Sequence, residues 1–158
     1  KFHFIGKLQR NKAKKAVELF DLVETVDSIK LGLALEAHCE QLNRVLEAYI
    51  QVNIGAEGQK SGAAPADCAR ILRGLAGCRF LRIRGLMAMP PYAADSEVSR
   101  PYFIRLRRLA GELVAEGLLG KHGPPELSMG MSGDFEVAIE EGATVVRVGT
   151  ALFGPRPR

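Results

Sequence analysis

The sequence has few cysteines, no long apolar run and little excess of charge of either sign. Its three cysteines, Cys39, Cys68 and Cys78, form no C-x-x-C pair, which argues against a disulfide framework and a zinc site. No apolar run approaches the roughly 20 residues of a membrane span, and the first residues lack the pattern of a signal peptide. These absences predict a cytoplasmic protein with buried free thiols and no membrane partner.

The charges are nearly balanced, with 22 Lys plus Arg against 18 Asp plus Glu in 158 residues. The densest basic patch is Arg105, Arg107 and Arg108, and a solvated helix face explains it better than nucleic-acid binding. With 47% apolar residues, the composition is that of an ordinary globular protein, and a chain of this length normally makes one domain. We therefore predict one domain over residues 1–158, a monomer or weak dimer with no nucleic-acid partner.

Short apolar runs rich in β-branched residues alternate with longer segments of helical period. The predicted strands cover residues 2–6, 22–26, 49–54, 81–89, 126–129 and 143–148, and the predicted helices cover residues 11–20, 27–48, 65–75, 98–116 and 134–140. This alternation predicts an α/β fold with a parallel sheet and helices on its faces.

Two parallel architectures fit this alternation, namely an open doubly wound sheet and a (β/α)8 TIM-type barrel. The G-x-G-x-x-G fingerprint is absent after the first strand, which makes a dinucleotide-binding sheet the weaker alternative. A barrel typically needs about 250 residues. We therefore expect the six strands to be the last six of a barrel whose N-terminal strands are not in this sequence.

Two late segments carry small residues at the carboxyl ends of strands, where both architectures bind ligands. Residues 127–134 read LSMGMSGD, and residues 145–154 read VVRVGTALFG. Backbone N–H groups can approach a phosphate where no Cβ interferes, and hydroxyl groups add donors. Ser132, Gly149 and Thr150 are therefore candidate phosphate ligands. Spacing alone leaves open whether these segments bind phosphate or only make tight turns.

Arg147 is an unusual residue for the last strand. Alternation places it on one face with Val145, opposite Val146 and Val148. An arginine that points into a sheet or barrel interior needs an acceptor or an anion, because an unpaired buried charge is costly. The two alternatives are a bound anion and a structural ion pair, for example with Glu136 or Glu140.

Five short motifs follow one another along the chain. Residues 2–12 read FHFIGKLQRNK, residues 52–62 read VNIGAEGQKSG, and residues 84–90 read RGLMAMP. The first resembles H-F-I-G-x-L-Q-x-N-K, the second V-N-x-x-x-E-x-x-K-x-G and the third R-G-L-M-x-x-P. The two late segments match L-S-M-G-M-S-x-D and V-R-x-G-x-x-x-F-G. Together these motifs resemble those of the pyridoxal phosphate homeostasis proteins, and the last also resembles V-R-P-G-x-x-L-Y-G of alanine racemases.

The resemblance implies a fold-type III barrel that holds pyridoxal 5′-phosphate (PLP) at its strand ends. It also implies a role in vitamin B6 homeostasis, as a carrier or regulator without substrate turnover, with PLP-dependent apo-enzymes as possible partners. The implied cofactor-binding residues are Ser132, Gly149 and Thr150 for the phosphate, Arg147 for the pyridine nitrogen, and Asn53 and Met87 near the ring. His3 could face the ring or the helices, and we expect a core histidine.

One expected feature of the family is missing from the sequence. Members carry a lysine that bonds covalently to PLP at the end of a strand upstream of the first motif. None of the eight lysines here occupies a matching position, and Lys7 is only a weak substitute. We therefore expect the phosphate and ring-nitrogen half of the site without the covalent half.

Three other functions remain open at this stage. An amino-acid racemase of the same fold needs two acid/base groups, and the tyrosines Tyr49, Tyr92 and Tyr102 supply no evident second group. A barrel that binds another phosphate ester is the second alternative. The third is a vestigial fragment, in which six strands would leave two unpaired edges and an apolar interior open to water.

Overall fold

Six strands form a single parallel sheet in this computed structural model, which describes residues 1–56, 58 and 61–154. The strands are β1 (His3–Phe4), β2 (Leu22–Val26), β3 (Leu46–Val52), β4 (Leu81–Ala88), β5 (Glu126–Met131) and β6 (Val145–Arg147). Each strand pairs with the next one along the chain, so the sheet order is the sequence order. A doubly wound sheet reverses its order at a switch point. The observed order is that of a half-barrel, which confirms the predicted fold class.

Helices follow the strands and cover the outer face of the half-barrel. They are α1 (Ala13–Leu19), α2 (Ile29–Gln41), α3 (Cys68–Leu75), α4 (Arg100–Ala115), α5 (Phe135–Glu140) and α6 (Thr150–Phe153). Single 3-10 turns precede α1, α3 and α4. Ser28 is the N-cap of α2, because its hydroxyl accepts a hydrogen bond from the Leu31 amide. Among the described residues, no helix is long and apolar enough to cross a bilayer.

The predicted helix over residues 27–48 is wrong at its end. The helix α2 stops at Gln41, and β3 begins at Leu46 rather than at residue 49. Asn43 adopts a left-handed backbone conformation with φ of 47°, which helices use to terminate. The next residue, Arg44, donates hydrogen bonds to the Val17 and Phe20 carbonyls. These contacts attach the turn to the preceding unit before β3 starts.

The main core lies between the sheet and the helices. Alternate residues of β3, namely Leu46, Ala48, Ile50 and Val52, are buried against the helices. Burial raises the pKa of each cysteine thiol to about 11. Cys39 and Cys68 are buried free thiols, as predicted, whereas Cys78 is half-buried.

The inner face of the half-barrel carries polar groups around a small apolar layer. Leu22, Tyr49 and Met87 form this layer, with Val145 packed against it. Charged side chains lie on both sides of it, including Glu24 toward the carboxyl ends of the strands and Arg84 toward the amino ends. The interior of the half-barrel is therefore not uniformly apolar, because arginine–glutamate pairs lie on both sides of this layer.

The structure describes all residues of the first motif but only part of the second. Glu57 and Lys60 of the second motif lie outside the described residues. The first motif, residues 2–12, runs from β1 to the start of α1. Within it, Leu8 is buried in the main core and Phe4 packs against that core, so these two positions of the motif serve packing.

Candidate functional site

An open pocket of about 670 Å³ lies at the carboxyl ends of the strands. Its walls are His3, Ile5 and Glu24 together with residues 89–93, 131–134 and 145–150. Four of the six predicted site residues line it, namely Ser132, Arg147, Gly149 and Thr150. The two late segments of small residues therefore form one wall of a single pocket, as their positions at neighbouring strand ends require.

Arg147 lies at the floor of this pocket with only 9% of its side chain exposed. Its Nη1 donates to Ser128 Oγ, and its Nη2 donates to the Ala88 carbonyl oxygen at 2.9 Å. Burial lowers the pKa of its guanidinium, and the carboxylates of Glu24 and Asp134 oppose that shift. Because a guanidinium is not deprotonated in proteins, the group remains a cation.

The ion-pair partner of Arg147 is Glu24, at 3.7 Å between Nη1 and Oε2. The suggested partners Glu136 and Glu140 are wrong, because β6 turns Arg147 toward the barrel interior while α5 packs on the outside. Glu140 instead pairs with Arg100 at 2.6 Å.

Glu24 connects three strands beneath the pocket. Its side chain is only 1% exposed. Its Oε2 accepts a hydrogen bond from Ser128 Oγ at 2.6 Å, and its Oε1 lies 2.8 Å from His3 Nδ1. Because a carboxylate accepts, the Nδ1 atom of His3 carries the proton in this contact. The expectation that His3 is a core histidine is wrong, since it lines the pocket and faces Glu24.

The Ser132 hydroxyl marks a second polar point of the pocket. Its Oγ accepts hydrogen bonds from the Gly149 amide at 3.1 Å and from the Ala151 amide at 3.2 Å. Two backbone donors therefore converge on one oxygen position. Apart from the neighbouring residues in the chain, no atom of the described residues lies within 4 Å of the place where a Cβ of Gly149 would stand, and the same holds for Gly133. A side chain at either position would project into space that a ligand can use.

Asp134 shapes the turn that carries Ser132. Its Oδ1 accepts from the Met131 amide at 2.7 Å, which holds the chain between β5 and α5. Gly130 has φ of +92°, and a Cβ there would lie 2.6 Å from the Ala138 Cβ. Only glycine allows β5 to approach α5 this closely, so this part of the fourth motif shapes the backbone.

Asn53 and Met87 take different positions from the other four predicted residues. Asn53 lines an adjacent pocket of about 300 Å³, which shares Met89, Tyr92 and Met131 with the larger one. Met87 is completely buried beside Tyr49, one layer below the pocket. Met89, which directly follows β4, lines the pocket instead.

The lysine and tyrosine side chains contribute little to the pocket wall. Among the described residues that line either pocket there is no lysine, and Lys7 is exposed. Tyr92 lies on the rim with 92% of its surface exposed, whereas Tyr49 donates to Glu126 below the apolar layer. The described part of the chain also holds no group of three or more His, Cys, Asp or Glu residues suited to a metal ion.

The fold and the position of the pocket define the class of protein. The family described as "Alanine racemase, N-terminal domain" matches residues 2–157. An alanine racemase of Clostridium difficile shares the fold at 15% identity, with a TM-score of 0.75 over 99% of this chain and 42% of that chain. In complete barrels of this fold, active sites lie at the carboxyl ends of the strands, which is where the pocket of this half-barrel lies.

Closer relatives narrow the class to one family. The pyridoxal phosphate homeostasis protein of Aquifex aeolicus is 42% identical over 98% of this chain and 67% of its own length. The pyridoxal phosphate homeostasis protein of Pseudomonas aeruginosa is 41% identical over 98% of this chain and 64% of its own length. The structure of PipY of Synechococcus elongatus with PLP bound matches at 39% identity and a TM-score of 0.85, over 96% of this chain and 69% of PipY.

The chain belongs to the pyridoxal phosphate homeostasis protein family, as its five motifs predicted. It spans about two thirds of the length of the relatives named above. Sequence reasoning missed Glu24 and Ser128 beneath the pocket, and it missed helix α6. A glutamate within the fully buried strand β2 was the available signal, since a buried carboxylate needs a partner.

Proposed function

We propose that this chain binds PLP in the 670 Å³ pocket and serves vitamin B6 homeostasis as a carrier or regulator. One observation carries the proposal. A buried guanidinium, Arg147, and a convergent pair of backbone donors at Ser132 lie on the same pocket wall. The guanidinium of Arg147 suits an aromatic nitrogen, and the donors at Ser132 suit a phosphate. The relative PipY was solved with PLP bound, which supports the same ligand for this chain.

The phosphate of PLP fits the Ser132 end of the pocket. The amides of Gly149 and Ala151 donate to Ser132 Oγ, which leaves the Ser132 hydroxyl proton to be donated to a phosphate oxygen. Thr150 adds a second hydroxyl on the pocket wall. Donors of this kind suit the negative charge of a phosphate and need no lysine.

The pyridine ring fits the Arg147 end. PLP, when bound, supplies an aldehyde and an aromatic ring that can take up electrons. A guanidinium has only donors, so Arg147 would donate to the ring nitrogen and disfavour its protonation. An unprotonated ring withdraws electrons weakly. The site therefore suits holding PLP better than stabilising a carbanion.

Amino-acid racemisation is less well supported by the side chains of the pocket. It needs proton donors and acceptors on two sides of the substrate. Tyr49 is part of the apolar layer and its hydroxyl donates to Glu126, and burial and this hydrogen bond raise its pKa. Tyr92 is on the exposed rim. In the described part of the pocket wall there is no lysine.

The open side of the pocket gives bound PLP a route to other proteins. We propose that PLP-dependent apo-enzymes are the partners to which PLP passes, and that this occurs in the cytoplasm.

A competition experiment tests the proposal. The 158-residue chain is titrated with PLP, and ribose 5-phosphate and pyridoxal are then added as competitors. We expect saturable PLP binding and weak competition by the sugar phosphate. Equal competition by ribose 5-phosphate would favour the alternative of a general phosphate-ester site. Racemisation of an amino acid by the PLP-loaded chain would favour the racemase.

A further inference from the structure

Beneath the pocket lies a buried carboxylate that PLP binding itself does not require. Glu24 is only 1% exposed in the middle of β2. It contacts His3 at 2.8 Å, Ser128 at 2.6 Å and, at the longer distance of 3.7 Å, Arg147. Burying a charge is costly, and an uncharged residue could fill the same volume. We therefore expect the interactions of the carboxylate with its neighbours to offset this cost.

Proton accounting shows how Glu24 acts on Arg147. The Ser128 hydroxyl has one proton and lies between two groups. A carboxylate can only accept, and a guanidinium can only donate. The Ser128 proton must therefore point toward Glu24, which leaves its lone pairs facing Arg147. Glu24 thus fixes the direction in which Ser128 can accept, and the Ala88 carbonyl holds the other side of the guanidinium at 2.9 Å.

We propose that Glu24 and Ser128 are positioning residues that hold Arg147 so that the pocket selects ligands whose aromatic nitrogen is an unprotonated acceptor. This inference rests on the proposed binding of PLP. A ring nitrogen that carries a proton or a methyl group has no lone pair for Arg147, and it brings a positive charge against a buried cation. A free lone pair meets a preoriented donor. Without Glu24, the Ser128 hydroxyl could rotate, and the guanidinium would lose its anionic neighbour.

The test compares two ligands that differ only at the ring nitrogen, PLP and N1-methylpyridoxal 5′-phosphate. Their dissociation constants are measured by fluorescence titration for the parent chain, Glu24→Gln and Ser128→Ala. The matched control is Glu126→Gln, which also removes a carboxylate from the inner face but at the other end of the strands. The preference ratio is the dissociation constant of the methylated ligand divided by that of PLP. Because the methyl group adds the same bulk in every protein, the ratio of each variant is compared with that of the parent.

We expect the parent chain to prefer PLP by roughly tenfold or more, because the methylated ring leaves a buried donor unpaired. Glu24→Gln and Ser128→Ala should each reduce this preference by at least about fivefold. Glu126→Gln should keep it within about twofold of the parent. Thermal melting of each variant confirms folding, and Ser128→Ala, which removes one hydroxyl, keeps the test decisive if Glu24→Gln does not fold.

The possible failures are distinct. If the parent chain binds neither ligand, the proposed PLP function is overturned, and this inference falls with it. If the parent prefers PLP and Arg147→Ala abolishes that preference, PLP binding stands. In that case, if Ser128→Ala prefers PLP over the methylated ligand as strongly as Glu126→Gln does, only the positioning role is overturned.

Discussion

The inner face of the half-barrel carries two arginine–glutamate clusters that differ in what they do. The upper cluster, at the carboxyl ends of the strands, consists of His3, Glu24, Ser128 and Arg147. The lower cluster, at the amino ends, consists of Lys1, Glu47, Tyr49, Arg84 and Glu126. The apolar layer around Met87 separates them. The same residue types thus occur twice in one sheet, and only the upper cluster borders the pocket.

The lower cluster is largely satisfied by its own members. Arg84 Nη2 binds Glu126 at 2.7 Å, and Arg84 Nη1 donates to the His122 carbonyl. Lys1 pairs with Glu47 at 2.8 Å. Only Arg84 Nε, among the buried side-chain atoms that the structure describes, has no hydrogen-bond partner. Groups that satisfy one another in this way hold strands together and leave little for a ligand.

The comparison shows that residue type alone does not identify a binding arginine. Arg84 and Arg147 both face inward and both pair with a glutamate. In barrels the carboxyl ends of strands carry function and the amino ends carry stability. Position along the strand therefore separates the two roles, and substitutions at matched positions can break or sharpen this separation.

Arg147→Ala should give the largest effect on binding. It removes the donor proposed for the ring nitrogen and leaves the buried Glu24 carboxylate without its cation. We expect PLP affinity to fall by roughly tenfold to a hundredfold, the equivalent of a lost hydrogen bond to a charged group. Equilibrium dialysis with PLP measures it. Unchanged affinity in a folded variant would refute the assignment of Arg147.

Ser132→Ala should weaken binding at the phosphate end. The substitution removes a donor and the oxygen on which the Gly149 and Ala151 amides converge. The expected loss is about 1–3 kcal/mol of PLP binding energy. Pyridoxal, which lacks the phosphate, serves as the matched ligand, and its binding should change little. An equal loss for both ligands would place the phosphate elsewhere.

Arg84→Ala should reverse the pattern seen for Arg147→Ala. It breaks the lower cluster and should reduce the free energy of unfolding by about 1–3 kcal/mol, as hydrogen bonds from a partly exposed charged group are lost. PLP affinity of the folded variant should stay within about twofold of the parent. Chemical denaturation and dialysis measure the two quantities. A large loss of PLP affinity in the fully folded variant would show that the two clusters act as one functional unit.

Acidification should weaken the lower cluster through Glu126. Burial acts to raise the pKa of this carboxyl, but hydrogen bonds from Tyr49 and Arg84 outweigh burial and hold the pKa below its ordinary value of 4.5. A carboxyl with a lowered folded-state pKa stabilises the protein above the unfolded pKa, and this stabilisation is lost as the pH falls through the folded pKa. The melting temperature should therefore drop below about pH 4.5, and less so in Glu126→Gln. An equal drop in both proteins would exclude Glu126 as a contributor.

The cysteines should show the smallest effect, since they belong to neither cluster. Burial raises the pKa of all three thiols to about 11, and the thiolate is the reactive form. Labelling at neutral pH should be slow, with Cys78 first because it is the more accessible. Mass spectrometry of partly labelled protein identifies the order. Labelling of Cys68 before Cys78 would contradict the packing of α3.

Much of the fold could be predicted from the sequence because strand and helix periods differ. The alternation of apolar residues located all six strands, and the error at the end of α2 arose where Asn43 and Arg44 end the helix through backbone conformation and long-range contacts. Helix α6 has only four residues, which is too short for a periodic signal.

The site was only half predictable for a different reason. Arg147, Ser132 and Gly149 stand in motifs, and their strand ends predicted one shared pocket. Glu24 gave a signal of the same kind as Arg147, a charge in a buried strand, but sequence alone cannot pair charges that are more than 100 residues apart. The partner chosen by proximity, Glu140, lies on the outer helix. The curvature of the sheet brings Glu24 and Arg147 together, and this curvature is known only from the structure.

The most direct test of the account is the nitrogen-15 NMR shift of ring-labelled PLP bound to the 158-residue chain. The account predicts a bound signal in the range of an unprotonated pyridine nitrogen that accepts a hydrogen bond, and a change of that signal in Arg147→Ala. A bound signal in the pyridinium range, or one that Arg147→Ala leaves unchanged, would contradict the placement of Arg147 at the ring nitrogen.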